Sequence, residues 1–555
     1  MALALALCVA TDIVTWTAAP RFYPDDPLWI DDDMSIDASG MVGAIIEDSN
    51  GYDFVVNTFV KPGEKRDVRA MNVNTVDEVP DSSWFVNRIG RREMSIQDLV
   101  RGPDRFPTIS LDGWVVSAGK SSGVQAGFRM KNPAELNSLG EPTTYQIEFD
   151  PLSNPEMATG AELIGTAFYH AFGYHVVDVY LTEVDPARLE IAPDARITDP
   201  ALGRRRPLVR DDIDDVLRRS ARQPNGKYRV LASRFADGDP LGNFRYYGTR
   251  PDDPNDIVPH EHRRELRAAR VFGAWLNHDD SRGVNSLDFL PPGPVPRWVK
   301  HYMFDFGSIL GSGTRFSQRN RAGNEYLVEW APGWATLATL GLYTRPWMHI
   351  KYPEVPASVG SIEGDAFVAD RWKPEYPNQA FANMRPDDAF WAAQIVAKFD
   401  DRAIRAIVEK ARFSDARATD YLVETIIKRR DKVLNTWLTG VNPVVDVAMN
   451  ARGEMTFDNA AVRAGLTSAM GMYRVQWARF DNATGTATPE GAPVTTALPR
   501  VQAPATLVDG PQPAFIQAEI AGLHPGFPAW SQPVIVHFRR IAGGWQLVGL
   551  RRMAD

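Results

Sequence analysis

The sequence has little cysteine, no long apolar run and no excess of basic residues, and each shortage excludes a class of protein. Its one cysteine, Cys8, excludes an internal disulfide framework and a metal site built from several cysteines. Lysine and arginine total 61 residues against 70 aspartates and glutamates, a net charge of −9. Because there is no overall positive field, nucleic acid is not an expected partner, and any phosphate site must be local.

The first residues are apolar, but the run is too short to cross a membrane. It begins at Met1 and is interrupted at Asp12, whereas a transmembrane helix needs about 20 apolar residues, so we expect no transmembrane segment. Small residues at 17–19 are typical of the end of a signal peptide, but no Lys or Arg precedes Arg21. Residues 1–20 are therefore a signal-peptide remnant or an apolar terminus left by a misplaced start, and the protein is either exported to the periplasm or cytoplasmic.

Length and composition indicate a globular protein of several units. Hydrophobic residues are 44% and charged residues 24% of the 555 residues, unlike the proportions of collagenous or disordered chains. At roughly 150 residues per domain there is room for about three to four units. Shifts in composition predict an N-terminal arm over 21–105, a β-rich unit over 106–239, a helical unit over 240–440 and a C-terminal β domain over 441–555.

The β-rich unit begins with strands and continues with a helix. Alternation of apolar and polar residues predicts three antiparallel strands, at 114–116, 127–130 and 145–149. Apolar residues at three-and-four spacing from Pro155 to about Phe172, with Gly173 after them, predict a helix.

The two ends of the chain have weaker patterns. In the arm, short apolar groups at 54–56 and 84–86 predict a few strands laid on a larger body, and no chemistry is assigned to them. Beyond residue 440, alternation at 515–520, 534–539 and 545–550 predicts the small β domain.

Two polar stretches of the helical unit contain the residues that point to chemistry. The first contains His278, Asp280 and Asn285 in the pattern His-x-Asp-x-x-x-x-Asn. The second, Asp305-Phe306-Gly307, lies 20 residues beyond Asn285, at the end of a predicted strand. Either motif alone is more often a solvated turn, but the two in this order are a much more specific signal.

Together the two motifs resemble the catalytic loop and the metal-binding loop of the protein-kinase-like superfamily. The polar loop is most similar to those of atypical bacterial members, the HipA-like and CotH-like kinases. The resemblance spans about residues 112–438 and implies an α+β, two-lobed protein-kinase-like fold, with the β-rich unit as N-lobe and the helical unit as C-lobe. It also implies ATP and Mg²⁺ as cofactors, and an unknown protein or small molecule as the acceptor.

The resemblance implies a role for each residue of the two motifs. A phosphoryl group in transfer carries spread negative charge, so catalysis consists mainly of placing divalent cations and orienting the attacking hydroxyl. Asp280 would accept the proton of that hydroxyl, and His278 would brace the loop. Asn285 and Asp305 would give Mg²⁺ the oxygen ligands that hard cations prefer.

A glycine-rich turn between the first two predicted strands is expected to cover the nucleotide phosphates. It contains Gly119, Lys120, Ser121 and Gly123. The backbone of such a turn can approach phosphate closely because glycine has no side chain. A P-loop is excluded, because Gly113 and Gly119 enclose five residues where that motif needs four.

The sequence departs from the kinase pattern at the lysine of the third strand. Its position is taken by Glu148, an anion that repels phosphate. Glu162 on the following helix matches the glutamate that pairs with this lysine in the family. Lys120 can supply the missing cation from the turn, and Lys131 is a poorer candidate. If Lys120 replaces the missing lysine, the protein is predicted to be an atypical kinase. If the site no longer binds nucleotide productively, it is predicted to be a pseudokinase that serves as an interaction scaffold. Transfer of AMP, with the same metal ligands and an inverted nucleotide, is a third alternative.

Overall fold

The computed structural model describes residues 20–30, 36–41, 50–120, 123–199, 202–468, 471–509 and 515–553. Within these ranges the chain forms 19 strands and 12 α-helices, and the strands pair into four sheets, so the fold is mixed α/β. Most of the signal-like segment over 1–20, and also Ser121, lie outside the described residues. Among the helices described, none combines the length and the apolar character that crossing a bilayer requires.

The N-terminal segment up to residue 105 is helical where a strand is predicted. The apolar group at 54–56 belongs to helix α1 (Asn50–Val55) and to the turn of π-helix that continues it (Val56–Val60). A second helix, α2 (Ile96–Arg101), precedes the main sheet. In the described part of this segment, isolated bridges stand where strands are expected. The prediction is wrong here because three consecutive apolar residues have no period that separates strand from helix.

This segment is also part of the core rather than an arm laid on it. Trp84 and Phe85 are 2% and 1% exposed. The ring of Trp84 lies 5.0 Å from that of Phe244, and the ring of Phe85 lies 5.4 Å from that of Trp391. The segment therefore supplies side chains to the same apolar core as the helices that follow later in the chain.

A seven-stranded sheet follows. Its strands are β1 (Val115–Gly119), β2 (Gly127–Leu136), β3 (Pro142–Phe149), β4 (Val179–Val184), β5 (Glu190–Thr198), β6 (Arg205–Pro207) and β7 (Tyr228–Arg234). Their order is β4-β7-β3-β2-β1-β5-β6, and β1 and β5 are the one parallel pair among these described strands. The three predicted antiparallel strands are confirmed as β1, β2 and β3.

The predicted helix is confirmed as α3 (Met157–Phe172), which connects β3 to β4 and is buried along almost its whole length. Gly173 follows it at a φ of +131°, a conformation that favours glycine. Gly165 lets the helix approach the Asp-Phe-Gly turn, since a Cβ there would lie 2.5 Å from the Cβ of Phe306. A further helix, α4 (Arg210–Arg218), lies between β6 and β7.

A helix and a hairpin carry the two polar motifs. Helix α5 (Arg264–Leu276) leads directly into the first motif. The hairpin belongs to a three-stranded sheet of β8 (Asp239–Gly242), β9 (Ser286–Leu290) and β10 (Lys300–Met303), in the order β10-β9-β8. Ser286 pairs with Met303 in the antiparallel register. The residues just before β9 therefore lie beside the residues just after β10.

Helices dominate from there to residue 438. They are α6 (Trp330–Ala338), α7 (Gln379–Ala382), α8 (Pro386–Val396), α9 (Asp401–Glu409) and α10 (Ala416–Val433), which continues as a π-helix over Leu434–Leu438. Helix α10 packs on α5, where the buried indole of Trp275 donates a hydrogen bond to the carbonyl of Ile426 over 2.9 Å. The helices thus fix the direction in which α5 delivers the first motif.

Strands dominate the C-terminal part. The strands are β11 (Val444–Met449), β12 (Glu454–Asn459), β13 (Met472–Asp481), β14 (Thr486–Pro489), β15 (Val494–Thr496), β16 (Arg500–Gln502), β17 (Phe515–Leu523), β18 (Val534–Ile541) and β19 (Gly544–Arg551). They form a sheet of β11-β12-β16 and a sheet of β14-β13-β17-β18-β19 in which β15 also pairs with β13. Two one-turn helices, α11 (Ala460–Arg463) and α12 (Ala505–Val508), lie among them.

Candidate active site

The first motif is a loop whose shape is fixed by its own hydrogen bonds. Asn277 ends α5 in the left-handed conformation, at a φ of +53°. The side-chain amide of Asn285 donates from Nδ2 to the carbonyl of Asp280 over 2.8 Å, which closes the loop. The guanidinium of Arg282 contacts the carboxylate of Asp280 and also that of Glu375, 3.1 Å away. The Asp280 carboxylate is therefore held in place from within the loop.

The second motif begins at Asp305, which follows β10 and the residue Phe304. Asp305 has a φ of +61°, a conformation that costs a residue with a side chain about 1–2 kcal/mol. The backbone N–H of Phe304 donates to the carbonyl of Asn285 over 3.2 Å. This bond, together with the β9–β10 pairing, joins the two motifs at one place. The structure thus places the loop of Asp280 and Asn285 beside the turn of Asp305, and the catalytic roles of these residues stay a prediction.

His278 is a buried brace between the two motifs and helix α3. Its Nδ1 hydrogen-bonds with the hydroxyl of Tyr169 over 2.7 Å. The ring of Phe306 lies 4.5 Å from that of Tyr169 and 5.5 Å from that of His278. Burial, and the charge of Arg282, lower the pKa of His278 to about 3, so the ring is neutral at physiological pH. A neutral buried ring suits a structural brace rather than a proton donor.

Glu162 of α3 faces the Asp-Phe-Gly turn. A Cβ at Gly307 would lie 3.6 Å from Oε2 of Glu162, and Glu162 is buried. Burial, and then the carboxylates of Asp305 and Glu148, raise the pKa of Glu162 well above its ordinary value. Surrounding protein atoms that displace water, and then the charge of Glu148, likewise raise the pKa of Asp305. The residue nevertheless keeps solvent-exposed surface.

The glycine-rich turn presents Lys120 to this acidic region. Gly119 ends β1, and Gly123 adopts a φ of +83°, at which a Cβ would lie 3.2 Å from Nζ of Lys120. Lys120 forms an ion pair with Glu148 on β3, with 2.5 Å between Nζ and Oε1. Lys120 is therefore paired with Glu148 and not with Glu162, the helix residue that matches the family's glutamate.

The residues present could bind a magnesium ion that takes only one or two of its ligands from the protein. Among the described residues no group of three or more His, Cys, Asp and Glu side chains is arranged to hold a metal ion. The predicted metal ligands are only two, Asn285 and Asp305. Because Nδ2 of Asn285 donates a hydrogen bond inside the loop, Oδ1 is the atom that can face a cation. Asp305 adds an accessible carboxylate, and neighbouring carboxylates that repel one another favour a bound cation. Mg²⁺ commonly keeps several waters and takes one or two protein oxygens.

Sequence reasoning missed Asp53 and Gln125, which the fold places beside the two motifs. A Cβ at Gly283 would lie 2.8 Å from Oδ2 of Asp53, so α1 lies directly against the loop. Burial raises the pKa of Asp53, and the charges of Arg245 and Arg282 oppose that shift. Gln125, whose Nε2 donates to the carbonyl of Phe149 over 3.1 Å, also approaches the Asp-Phe-Gly turn. No periodicity or motif marks these long-range contacts in the sequence.

Comparisons with known proteins add little to this geometry. No protein-family model matches the sequence, and no curated protein matches it at a significant level. Among solved structures, that of the Helicobacter pylori proinflammatory kinase CtkA is similar over 60% of this chain and 98% of that chain, with 12% sequence identity and a TM-score of 0.30. At this TM-score the likeness carries no argument about activity, and assignment to a HipA-like or CotH-like branch stays a prediction.

Proposed function

We propose that this protein is an atypical kinase, which transfers the γ-phosphoryl group of Mg²⁺-bound ATP to a hydroxyl of a protein or small molecule. One observation carries the proposal: the pairing of β9 with β10 joins the loop of Asp280 and Asn285 to the turn of Asp305. We infer that the seven-stranded sheet and the helices α5 to α10 are the N-lobe and C-lobe of a protein-kinase-like fold, with the nucleotide between them.

The side chains of the two motifs would have different roles in phosphoryl transfer. Asp280, held by Arg282, would accept the proton of the acceptor hydroxyl. The oxygen of that hydroxyl would form a bond to the γ-phosphorus while the bond between the γ-phosphorus and the oxygen of the β-phosphate breaks. Mg²⁺, held by Asn285 and Asp305, would offset charge on the phosphates. His278 would keep the loop in position through Tyr169 and Phe306, without touching the substrate.

Nucleotide binding would require Lys120 to exchange partners. Its Nζ is held by Glu148 in the structure, and phosphate oxygens would have to replace or share that contact. The backbone of the turn around Gly119 and Gly123 would cover the phosphates, as glycine-rich turns do. Ser121 stays a predicted member of this turn, since it lies outside the described residues.

The same ion pair favours a second candidate, a pseudokinase. Glu148 occupies the position of the family's lysine and neutralises the cation that would replace it. A protein of this kind would use the fold as a scaffold for protein partners and would not turn ATP over. Transfer of AMP is distinguished from phosphoryl transfer by its product, since it releases pyrophosphate rather than ADP.

The test is product analysis of the full-length protein incubated with MgATP. The proposal predicts slow release of ADP, which Asp280→Asn and Asp305→Ala abolish and Asp211→Asn, an exposed aspartate of α4, leaves unchanged. Pyrophosphate and AMP-modified protein would instead establish nucleotidyl transfer. Absence of turnover in wild type and variants alike would leave the pseudokinase as the better description.

A further inference from the structure

A cavity of about 440 Å³ lies where the N-terminal segment meets the C-terminal sheet. This volume falls in the range of roughly 300–1,000 Å³ that small-molecule sites occupy. None of the described residues that line it belongs to the catalytic loop or to the Asp-Phe-Gly turn. The cavity is therefore separate from the candidate active site.

Hydrogen bonds between distant parts of the chain hold the walls of the cavity in place. On one side, the backbone N–H of Phe22 donates to Oδ1 of Asn482 over 2.8 Å, and Nδ2 of Asn482 donates back to the carbonyl of Phe22 over 2.8 Å. On the other side, the N–H of Leu550 donates to the carbonyl of Thr75 over 2.8 Å. The cavity is thus preformed by the docking of the N-terminal segment on β13, β19 and the turn after β13.

The charge that faces the cavity is positive. Arg21, Arg69 and Arg551 line it from three separate segments, and none of its described lining residues is acidic. Arg69 also contacts Asp77, with 2.9 Å between Nη2 and Oδ1, which neutralises part of its charge. Arg551 also has an interaction within the protein, so its charge too is partly offset. The lining therefore selects for an anion.

Asn74 and Thr75 also line the cavity, but Nδ2 of Asn74 and Oγ1 of Thr75 are enclosed by protein atoms and are closed to solvent. Oδ1 of Asn74 accepts from the N–H groups of Val76 and Glu78, over 3.2 and 3.0 Å, so the orientation of the amide is fixed. The amide therefore offers no donor to a ligand, but its position places a substituted side chain beside the cavity.

The rest of the lining is aromatic and apolar. The rings of Phe22 and Phe480 lie 5.9 Å apart, and both border the cavity. His537 adds no charge, since its Nε2 hydrogen-bonds with Oε1 of Gln517 over 3.0 Å and burial lowers its pKa to about 3. The ligand that fits this lining has an anionic end and an apolar or aromatic body.

We propose that this cavity is a binding site for a small organic anion. Its phosphate or carboxylate oxygens would accept hydrogen bonds from the guanidinium groups of Arg21, Arg69 and Arg551. Its apolar body would lie against Phe22 and Phe480.

The decisive experiment is a ligand-observed NMR titration of the full-length protein with phenyl phosphate, benzoate and benzyl alcohol. The expected result is saturable binding of at least one anion and no binding of the neutral alcohol. The comparison of phenyl phosphate with benzoate shows which anionic group the site prefers. Failure of both anions to bind saturably, or equal binding of the alcohol, would overturn the proposal.

The matched variants are Asn74→Asp and Asn137→Asp. Asn137 accepts from the N–H groups two and four residues ahead, Leu139 and Glu141, in the same turn geometry as Asn74, and it does not line the cavity. Each substitution keeps the acceptor oxygen and adds one negative charge. We expect Asn74→Asp to weaken anion binding at least tenfold and Asn137→Asp to change it less than twofold. Equal affinities in the two variants would contradict the proposed site.

Two more variants keep the test decisive. Arg21→Gln removes an exposed guanidinium of the lining and keeps the backbone hydrogen bond to Asn482, and we expect it to weaken anion binding at least threefold. If Asn74→Asp fails to fold, unchanged affinity of Arg21→Gln would overturn the proposal. Asp305→Ala should bind the anion as wild type does, and loss of binding in this variant would place the anion in the candidate active site instead.

Discussion

Lys120 at the turn after β1 forms an ion pair with Glu148 on β3, and the two side chains are only 17% and 18% exposed. In the proposed kinase, this contact competes directly with binding of the nucleotide phosphates. We expect Lys120→Met to weaken ATP binding about tenfold, the usual effect of losing one charge-assisted hydrogen bond. Glu148→Gln should strengthen it severalfold, because the competing anion is removed. Isothermal titration with MgATP measures both.

The control for this pair is Lys131→Met on β2, which leaves the turn intact. We expect its affinity for ATP to stay within twofold of wild type. Unchanged affinity in both the Lys120 and the Lys131 variant would mean that neither lysine contacts the phosphates.

The hydrogen bond between Tyr169 and His278 fixes the loop of the first motif to α3. Tyr169→Phe leaves Nδ1 of a buried histidine without this partner, which costs about 1–3 kcal/mol of unfolding free energy. We expect ADP release to slow severalfold while ATP affinity changes little, since His278 positions the loop and does not touch the nucleotide. Denaturation and product assays on the same preparation give both numbers.

Tyr473→Phe is the matched control, since its hydroxyl accepts a hydrogen bond from Asn459 over 3.0 Å in the C-terminal part of the chain. It should lower stability by a similar amount without slowing ADP release. A parallel loss of activity in this variant would show that general destabilisation, not the His278 contact, explains the effect.

Phe85 tests whether the N-terminal segment is structural. The residue is 1% exposed and packs against Trp391 in the core. Phe85→Ala should cost about 3–5 kcal/mol of unfolding free energy, as truncation of a buried phenylalanine usually does. Phe106→Ala, at a ring that is 42% exposed, should cost less than about 1 kcal/mol. Urea denaturation compares the two, and a small effect at Phe85 would mean that the segment undocks easily.

Mild acidification should remove the stability that depends on buried neutral histidines, two of which are His170 and His537. Burial, and nearby arginines, lower the pKa of His170 and of His537 to about 3, below the ordinary value of 6.5. Between these values the unfolded chain binds more protons than the folded one, so stability rises with pH in this window and is lost as pH falls through it. Each histidine should account for about 2 kcal/mol between pH 7 and pH 5.

His537→Gln should reduce that loss, whereas His349→Gln, at an exposed histidine, should keep the wild-type profile. The measurement is the unfolding free energy in urea at pH 7 and pH 5. Identical slopes for wild type and His537→Gln would contradict the assignment of a neutral buried ring.

Local patterns predicted the parts of the fold that position the candidate site. Alternation identified β1, β2 and β3, and three-and-four spacing identified α3, because each of these elements has one face in the core. The two motifs were recognisable because the hairpin of β9 and β10 lies between them in the sequence and joins them in space.

Contacts between distant segments could not be predicted in the same way. The short apolar groups of the N-terminal segment give no period, so the helix that carries Asp53 against the catalytic loop was expected to be a strand. Lys120 follows β1 and Glu148 lies on β3, and these two strands flank β2. Their ion pair therefore depends on side chains that reach across β2 and not on spacing in the sequence. The cavity between Arg21, Arg69 and Arg551 likewise exists only once three separate segments have docked.

The most direct measurement is calorimetric titration of ATP into the full-length protein, with and without Mg²⁺, for wild type, Asp305→Ala and Asp211→Asn. If Asn285 and Asp305 hold the cation, Mg²⁺ should tighten ATP binding at least tenfold in wild type and in Asp211→Asn. The same addition should change nothing in Asp305→Ala. Binding of ATP that ignores Mg²⁺ in wild type, or a full Mg²⁺ effect in Asp305→Ala, would contradict the proposed site.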